Sequence, residues 1–298
     1  MADVTAQRPG PQLQEPRSWR RTKNRIATVL MVLSFVLVII PLGFVLVSVV
    51  AKGASVISWS FLTSSIPVSV APANEGGIGP AVVGTLEITA LATVIAVPLG
   101  ILGAIYLNEY GGKNILARLI GFMADVMTGV PSIIMGLFIY SLWVLHFGYS
   151  GLAGAFALGC LMLPIVIRST FEMLRLVPSA LREGAYALGA TKARVTMTVV
   201  MPAALGGIVS GALLAVARAA GETAPLLFTI LGGLSAVNVN VFSGANIALP
   251  ILIFSNASSP YTGAQARGWG AALTLIAIAF ILMIVARLIS ARFSRFSR

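Results

Sequence analysis

Charge is scarce in this chain, and so are the residues that build most catalytic centres. Only 10% of its 298 residues are Asp, Glu, Lys or Arg, where a soluble domain carries roughly a quarter. A single cysteine, Cys160, excludes an intrachain disulfide and any cysteine metal site. It lies in an apolar run and reads as a small core residue. The only histidine, His146, ends an apolar run and reads as interfacial rather than catalytic. No Gly-x4-Gly-Lys-Ser/Thr occurs, so the chain has no P-loop, and any ATP is hydrolysed by another polypeptide. Gly76-Gly-Ile-Gly79 lacks the later glycine and strand context of a nucleotide loop and reads as a turn. No nucleophile, base or metal constellation is recognisable, which speaks against chemistry on a substrate.

What is present is hydrocarbon. The chain is 58% hydrophobic with a mean hydropathy of +0.96, the composition of an all-α polytopic membrane protein. Residues 1–25 are polar and rich in Pro, Gln and Arg, and are expected to form a disordered cytoplasmic tail. The apolar run 26–50 is too long for a signal-peptide core and reads as an uncleaved first span. Further spans are expected at 81–107, 119–146, 151–171, 204–232 and 271–290, six transmembrane helices in all. The last five make up a transmembrane domain over 80–291. Two larger loops remain, 51–80 and 233–270. The second holds the short run 247–254, which reads as an interfacial or re-entrant piece against the outer surface.

The formal net charge of +11 does not point to nucleic acid, because the basic residues flank apolar segments instead of forming one face. With the amino terminus in the cytoplasm, sixteen Lys and Arg fall on inside segments and two, Lys52 and Arg267, on outside loops. That bias predicts cytoplasmic amino and carboxyl termini. It also predicts a cytoplasmic loop at 175–202, between the fourth and fifth spans.

Within that loop, 183–202 is a polar, helix-forming island. Leu181, Ala185 and Leu188 recur at helical spacing, with Arg182 and Glu183 on the other side. Gly189 interrupts the pattern, Thr191 is placed to cap a second short helix, and Pro202 stands where the next apolar run begins. Two short amphipathic helices joined by a glycine bend are expected. Such a segment either lies flat on lipid or docks a soluble partner.

Two arginines, Arg168 and Arg218, fall inside spans, where each requires a partner or a task. Glu222 follows Arg218 at i+4 on the same helical face. Either Glu222 simply neutralises Arg218, or the pair is an anion site in which the guanidinium offers bidentate donors to phosphate or sulfate oxygens. Gly221 and Pro225 permit local unwinding there. Arg168 either lines an exit or snorkels to the interface. Asp125, Thr223 and Glu87 are further pathway or structural candidates. Thr128-Gly-Val-Pro131-Ser132, just beyond Asp125, is a kink signal.

The pattern Glu183-Gly184-Ala185-x3-Gly189-x9-Val199-x-Met201-Pro202 resembles the EAA signature of type I ABC importer permeases, Glu-Ala-Ala-x3-Gly-x9-Ile-x-Leu-Pro. Gly184, Val199 and Met201 depart from it conservatively. Ala96-Val-Pro-Leu-Gly-Ile-Leu-Gly-Ala-Ile-Tyr-Leu-Asn-Glu-Tyr110, Arg168-Ser-Thr-Phe-Glu-Met-Leu-Arg-Leu-Val-Pro178 and Ala217-Arg-Ala-Ala-Gly-Glu-Thr-Ala-Pro225 are similar to the permeases of high-affinity phosphate importers, closer to the PstA-type than the PstC-type subunit. The resemblance covers about residues 30–290. It implies a MetI-like fold in a bacterial plasma (inner) membrane. The implied partners are a PstC-type permease, a PstB-type cytoplasmic ATPase dimer and a PstS-type extracytoplasmic phosphate-binding protein. ATP and Mg would sit on the ATPase, with no cofactor on this chain. The resemblance assigns Arg168, Arg218 and Glu222 to phosphate passage, and Glu183, Gly184, Ala185, Gly189 and Pro202 to ATPase docking. A sulfate or molybdate permease and an ion-coupled secondary anion transporter remain alternatives on the residues alone.

Overall fold

The computed structural model describes residues 18–112, 114–231 and 237–294. Among them are helices, turns and one isolated β-bridge, Leu231 to Asn246, with no strand. The chain divides into two units, Met1–Ser48 and Val49–Arg298. Helix α1 (Ser18–Gly53) begins eight residues before the expected span. Ser18–Arg25 is therefore helical rather than part of a disordered tail, and residues 1–17 of that tail lie outside the described residues. Arg20, Arg21, Lys23 and Arg25 continue the helix because Lys and Arg are good helix formers. The apolar side chains of α1 between Ile26 and Val47 are mostly exposed, a surface that suits lipid rather than water.

The second unit opens with the short α2 (Trp59–Thr63), capped by the Ser58 hydroxyl, which accepts from the Phe61 N–H. The long α3 (Gly79–Tyr110) follows. Pro80 occupies its first turn, where a missing N–H costs nothing. Its last five residues, Tyr106–Tyr110, form a π turn closed by the Gly111 N–H donating to the Tyr106 carbonyl at 2.6 Å. The expected third span is a bent pair. α4 (Ile115–Gly129) and α5 (Ser132–Phe147) meet at 110° across Val130 and Pro131, where the residue preceding proline is driven out of helical geometry. Among the described residues, five helices are thus long and apolar enough to cross a membrane, or up to six if the bent pair is one span.

α6 (Gly151–Arg175) is the centre of the packing. It runs parallel to α3, with Gly154 near Ile88 and Gly100 near Val166. The small residues Ala92, Ala96, Ala155 and Gly100 let the two backbones approach, as expected where lipid offers no hydrophobic drive and packing must supply the energy. α7 (Ser179–Ala187) is the first helix of the island. The expected second short helix is instead the start of one long helix, α8 (Lys192–Ala220), so the fifth span begins twelve residues before its expected start. A π turn at Thr196–Val200 precedes Pro202. Thr196 and Thr198 there donate their hydroxyls to carbonyls one turn back, at 2.9 and 2.7 Å. Such back-bonding bends a helix, and the wider turn accommodates a proline that cannot donate. α8 ends at Ala220 with Gly221 as its cap, α9 (Ala224–Thr229) follows, and residue 232 of the expected span and residues 233–236 of the expected loop lie outside the described residues.

α10 (Leu249–Ala257) contains most of the apolar run 247–254. Its first half is buried, while Phe254, Ser255 and Ala257 in its second half are exposed. Leu249, Ile251 and Leu252 are in the core, and the Leu249 N–H donates to the Thr85 hydroxyl of α3 at 2.8 Å. α11 (Thr262–Ser294) closes the chain and is longer than the expected 271–290. Near its start Arg267, only 2% exposed, donates to the carbonyls of Ala71 and Pro72 at 3.0 and 2.7 Å and to those of Val68 and Ser69 at 3.4 Å each. It thereby holds the 68–72 loop, a task that counting it as a basic loop residue did not reveal. A Cβ on Gly100 would lie 2.7 Å from Val166 Cγ1. Gly100→Leu is therefore expected to force α3 off α6 and to cost about 1–3 kcal/mol, read as a lower thermal unfolding temperature in detergent.

Candidate functional site: a charged seam and a tethered loop

The island folds as its glycine dictates. Gly189 has φ +78°, and it ends α7 with paired bonds, Gly189 N–H to Tyr186 carbonyl at 2.9 Å and Ala190 N–H to Ala185 carbonyl at 3.2 Å. This is the Schellman closure, which wants a residue without a Cβ at that position. Thr191 occupies the cap position of α8, but its side chain makes no capping bond. The faces of α7 differ from the expected ones. Arg182 and Ala185 turn toward the bundle, whereas Leu181, Tyr186 and Leu188 are exposed, Leu188 by 90%. Glu183 and Gly184 are exposed beside them, and Pro202 is exposed on α8.

Arg182 anchors this loop, and sequence reasoning assigned it only to a polar face. Its guanidinium donates to the carbonyls of Val177 at 2.6 Å and Leu174 at 2.9 Å, groups left open at the end of α6. It also pairs at 3.0 Å with Glu109 on the π turn of α3, whose side chain is 6% exposed. The same Glu109 oxygen accepts from the Asn108 amide at 2.7 Å. Lys192, one turn past the bend, lies 5.0 Å above the Tyr110 ring. Glu109 stood in a quoted motif, but nothing local in the sequence pairs residues 109 and 182.

The seam between α6 and α8 carries Arg218 and Glu222. Gly207 faces Met173 and Gly211 faces Ser169, an antiparallel register that sets Arg218 opposite Met162. Arg218, Glu222, Leu161, Met162 and Ile165 accordingly line one small cleft. Arg218 Nε lies 3.5 Å from Glu222 Oε1. The arginine side chain is 69% exposed and the carboxylate 19%. The cation is thus the open member of the pair and its counter-ion the enclosed one. Glu222 and Thr223 stand in the break between α8 and α9, where the Glu222 N–H donates to the Ala219 carbonyl and the Thr223 carbonyl accepts from Leu226 and Leu227.

Arg168 is not in that cleft. It lies six residues beyond Met162, about 9 Å along the helix at roughly 1.5 Å per residue. There it forms an ion pair with Asp125 of α4 and donates to the Gly121 carbonyl at 3.1 Å. Asp125 is thus paired with an arginine. Glu87 lies on α3 away from these pairs, with one carboxyl oxygen buried and unbonded.

With this geometry in view, residues 96–295 match the model of the family described as binding-protein-dependent transport system inner membrane component. The chain belongs to that family. It is similar to "Phosphate transport system permease protein PstA 1" of Mycobacterium tuberculosis (strain H37Rv), with 43% identity over 91% of this chain and 88% of that protein. It is also similar to "Phosphate transport system permease protein PstA" of Yersinia pestis, with 41% identity over 94% of each. The resemblance to PstA-type permeases thus holds over most of the chain of this inner membrane component. Among solved structures, a chain of the bacterial alginate ABC transporter aligns with TM-score 0.64 at 14% identity, over 93% of this chain and 98% of that one. A chain of the inward-facing MetNI methionine ABC transporter aligns at 0.54 and 19%, over 74% and 94%. These two likenesses bear on the fold alone, and they agree with the expected MetI-like architecture.

Arg182→Met would leave the Glu109 carboxylate buried without a cation, and is expected to destabilise the inner membrane component by about 3–5 kcal/mol. Adding Glu109→Gln should recover much of that loss. Thermal unfolding of the purified single and double variants in detergent checks both statements.

Proposed function

We propose that the chain is a permease subunit of an ATP-driven inorganic phosphate importer, forming half of its translocation pathway. The observation that carries this reading is the exposed Arg218 guanidinium, set at a helix break inside an apolar bundle and backed by Glu222. A planar fork of donors fits the oxygens of a tetrahedral anion, and the carboxylate neutralises it between passages. The PstA relatives at 41–43% identity support phosphate as that anion.

The chain itself performs no catalysis in this reading. Lacking a P-loop, it relies on a PstB-type ATPase dimer that holds ATP and Mg. The positive-inside bias supports a cytoplasmic loop at 175–202 and cytoplasmic termini. The exposed Glu183, Gly184, Leu181, Tyr186 and Leu188 offer a mixed apolar and acidic surface of the kind partners bury. A PstC-type permease supplies the other half of the pathway, and a PstS-type protein delivers phosphate to the opposite face. ATP-driven closure of the ATPases tilts the helices and opens the Arg218 cleft to each side in turn. Arg168, held by Asp125 of α4, is a second cationic station about 9 Å further along α6.

Two outcomes follow for the reconstituted complex. Arg218→Ala should lower ATP-dependent phosphate uptake in proteoliposomes by about 100-fold or more, the scale of losing a preorganised donor, with the complex still assembled. Normal uptake would overturn the assignment, and preferential uptake of sulfate would redirect it. Gly189→Pro, which cannot adopt φ +78° and removes a bonded N–H, should reduce the ATPase that co-purifies. Undiminished co-purification would remove the docking role from this loop.

A further inference from the structure

No side chain of α7 is fully buried, so displacement of α7 and of the bend that joins it to α8 reaches the bundle through few contacts. Two of these converge on the end of α3. One is the charged pair of Arg182 and Glu109 at 3.0 Å, and the other is the Lys192 ammonium over the Tyr110 ring at 5.0 Å. They grip α3 from both sides of the Gly189 bend. α3 then continues without a break to Gly79. Toward its far end the Thr85 hydroxyl accepts from the Leu249 N–H, and Gly84 lies against the Ile247 carbonyl. Both contacts fall at the start of α10. That helix, with Leu227, Leu231 and the 66–69 loop, lines a cavity of about 870 Å³. From Thr85 to Glu109 is roughly 36 Å of helix at about 1.5 Å per residue. One stiff element therefore joins the loop to the cavity wall.

We propose that Glu109 and Arg182 are positioning residues for transport, converting movement of the docking helix into movement of α3 and, through Thr85, of the α10 wall. The inference rests on the reading that α7 receives the ATPase. A polar tether suits the task because the pair is directional and buried, so it transmits pull as well as push, whereas an apolar contact slides. Tyr110 and Lys192 are the second, more exposed point of the same grip. Glu109→Gln keeps a hydrogen-bond acceptor for Arg182 but removes the charge, and leaves the two carbonyl bonds of Arg182 in place.

The complex carrying Glu109→Gln or Tyr110→Leu, reconstituted with its ATPase and binding protein, tests the proposal. The expected result is unchanged ATPase co-purification, continued ATP hydrolysis, and phosphate imported per ATP lower by about fivefold or more, the low end of coupling between sites. A structural role alone would lower assembly, hydrolysis and uptake together, and that result would overturn the proposal. So would a wild-type ratio of uptake to hydrolysis in both variants. If Glu109→Gln yields no folded complex, the ratio in Tyr110→Leu decides, a fall supporting the tether and an unchanged value overturning it. Absence of phosphate uptake by the wild-type complex would instead overturn the functional reading, and the proposal with it.

Discussion

A guanidinium away from water must be given hydrogen-bond acceptors and a counter-charge, and much of the irregular architecture here answers that requirement. Arg182 takes the open carbonyls at the end of α6 and a carboxylate from α3, and thereby sets where the loop of α7 lies. Arg267 takes four carbonyls and sets the 68–72 loop at the opposite end of α3. Arg168 takes Asp125 and the Gly121 carbonyl, and ties the bent α4 to α6. Arg218 is the exception. Its one carboxylate partner lies 3.5 Å away, and most of its side chain stays open.

That contrast separates arginines bound to the backbone from one held by a side chain alone. Three arginines are tied to backbone carbonyls, which cannot leave without unfolding a helix end or a loop. Arg218 is tied to a single side chain on the next turn, beside a helix break, where exchange for an anion disturbs no backbone bond. The same chemistry is permanent in one setting and replaceable in the other, because the partners differ in how much structure depends on them.

Much of the fold was legible in the sequence. Long apolar runs mark membrane helices, and Thr128–Ser132 marked the break that became the 110° bend of α4 and α5. Helix ends were less legible. Arg20 to Arg25 look like a tail by polarity, yet helix propensity carries α1 through them. The second island helix looked separate because Pro202 suggested a boundary, but a π turn lets α8 run through it. The expected apolar face of α7 was misread for a related reason. Leu181 and Leu188 are exposed, while charged Arg182 is turned inward, because its acceptors lie beneath the helix.

The arginine pair of the site followed a similar division. Glu222 lies four residues from Arg218, close enough in sequence for the pair to be anticipated, although the helix ends at Ala220 between them. Asp125 and Arg168 are 43 positions apart, and Glu109 and Arg182 are 73 apart, so only packing could reveal either pair. By itself, the sequence determined that this protein fills a membrane, that its loop at 183–202 bends at Gly189, and that a cation and a carboxylate lie four residues apart at the end of the fifth span. These are properties of hydropathy, local backbone sterics and helical spacing, and they need no neighbour. The tertiary structure decided which arginines are tethered and which is open, because a charge finds its partner across helices whose register depends on how Gly100, Gly207 and Gly211 let backbones approach.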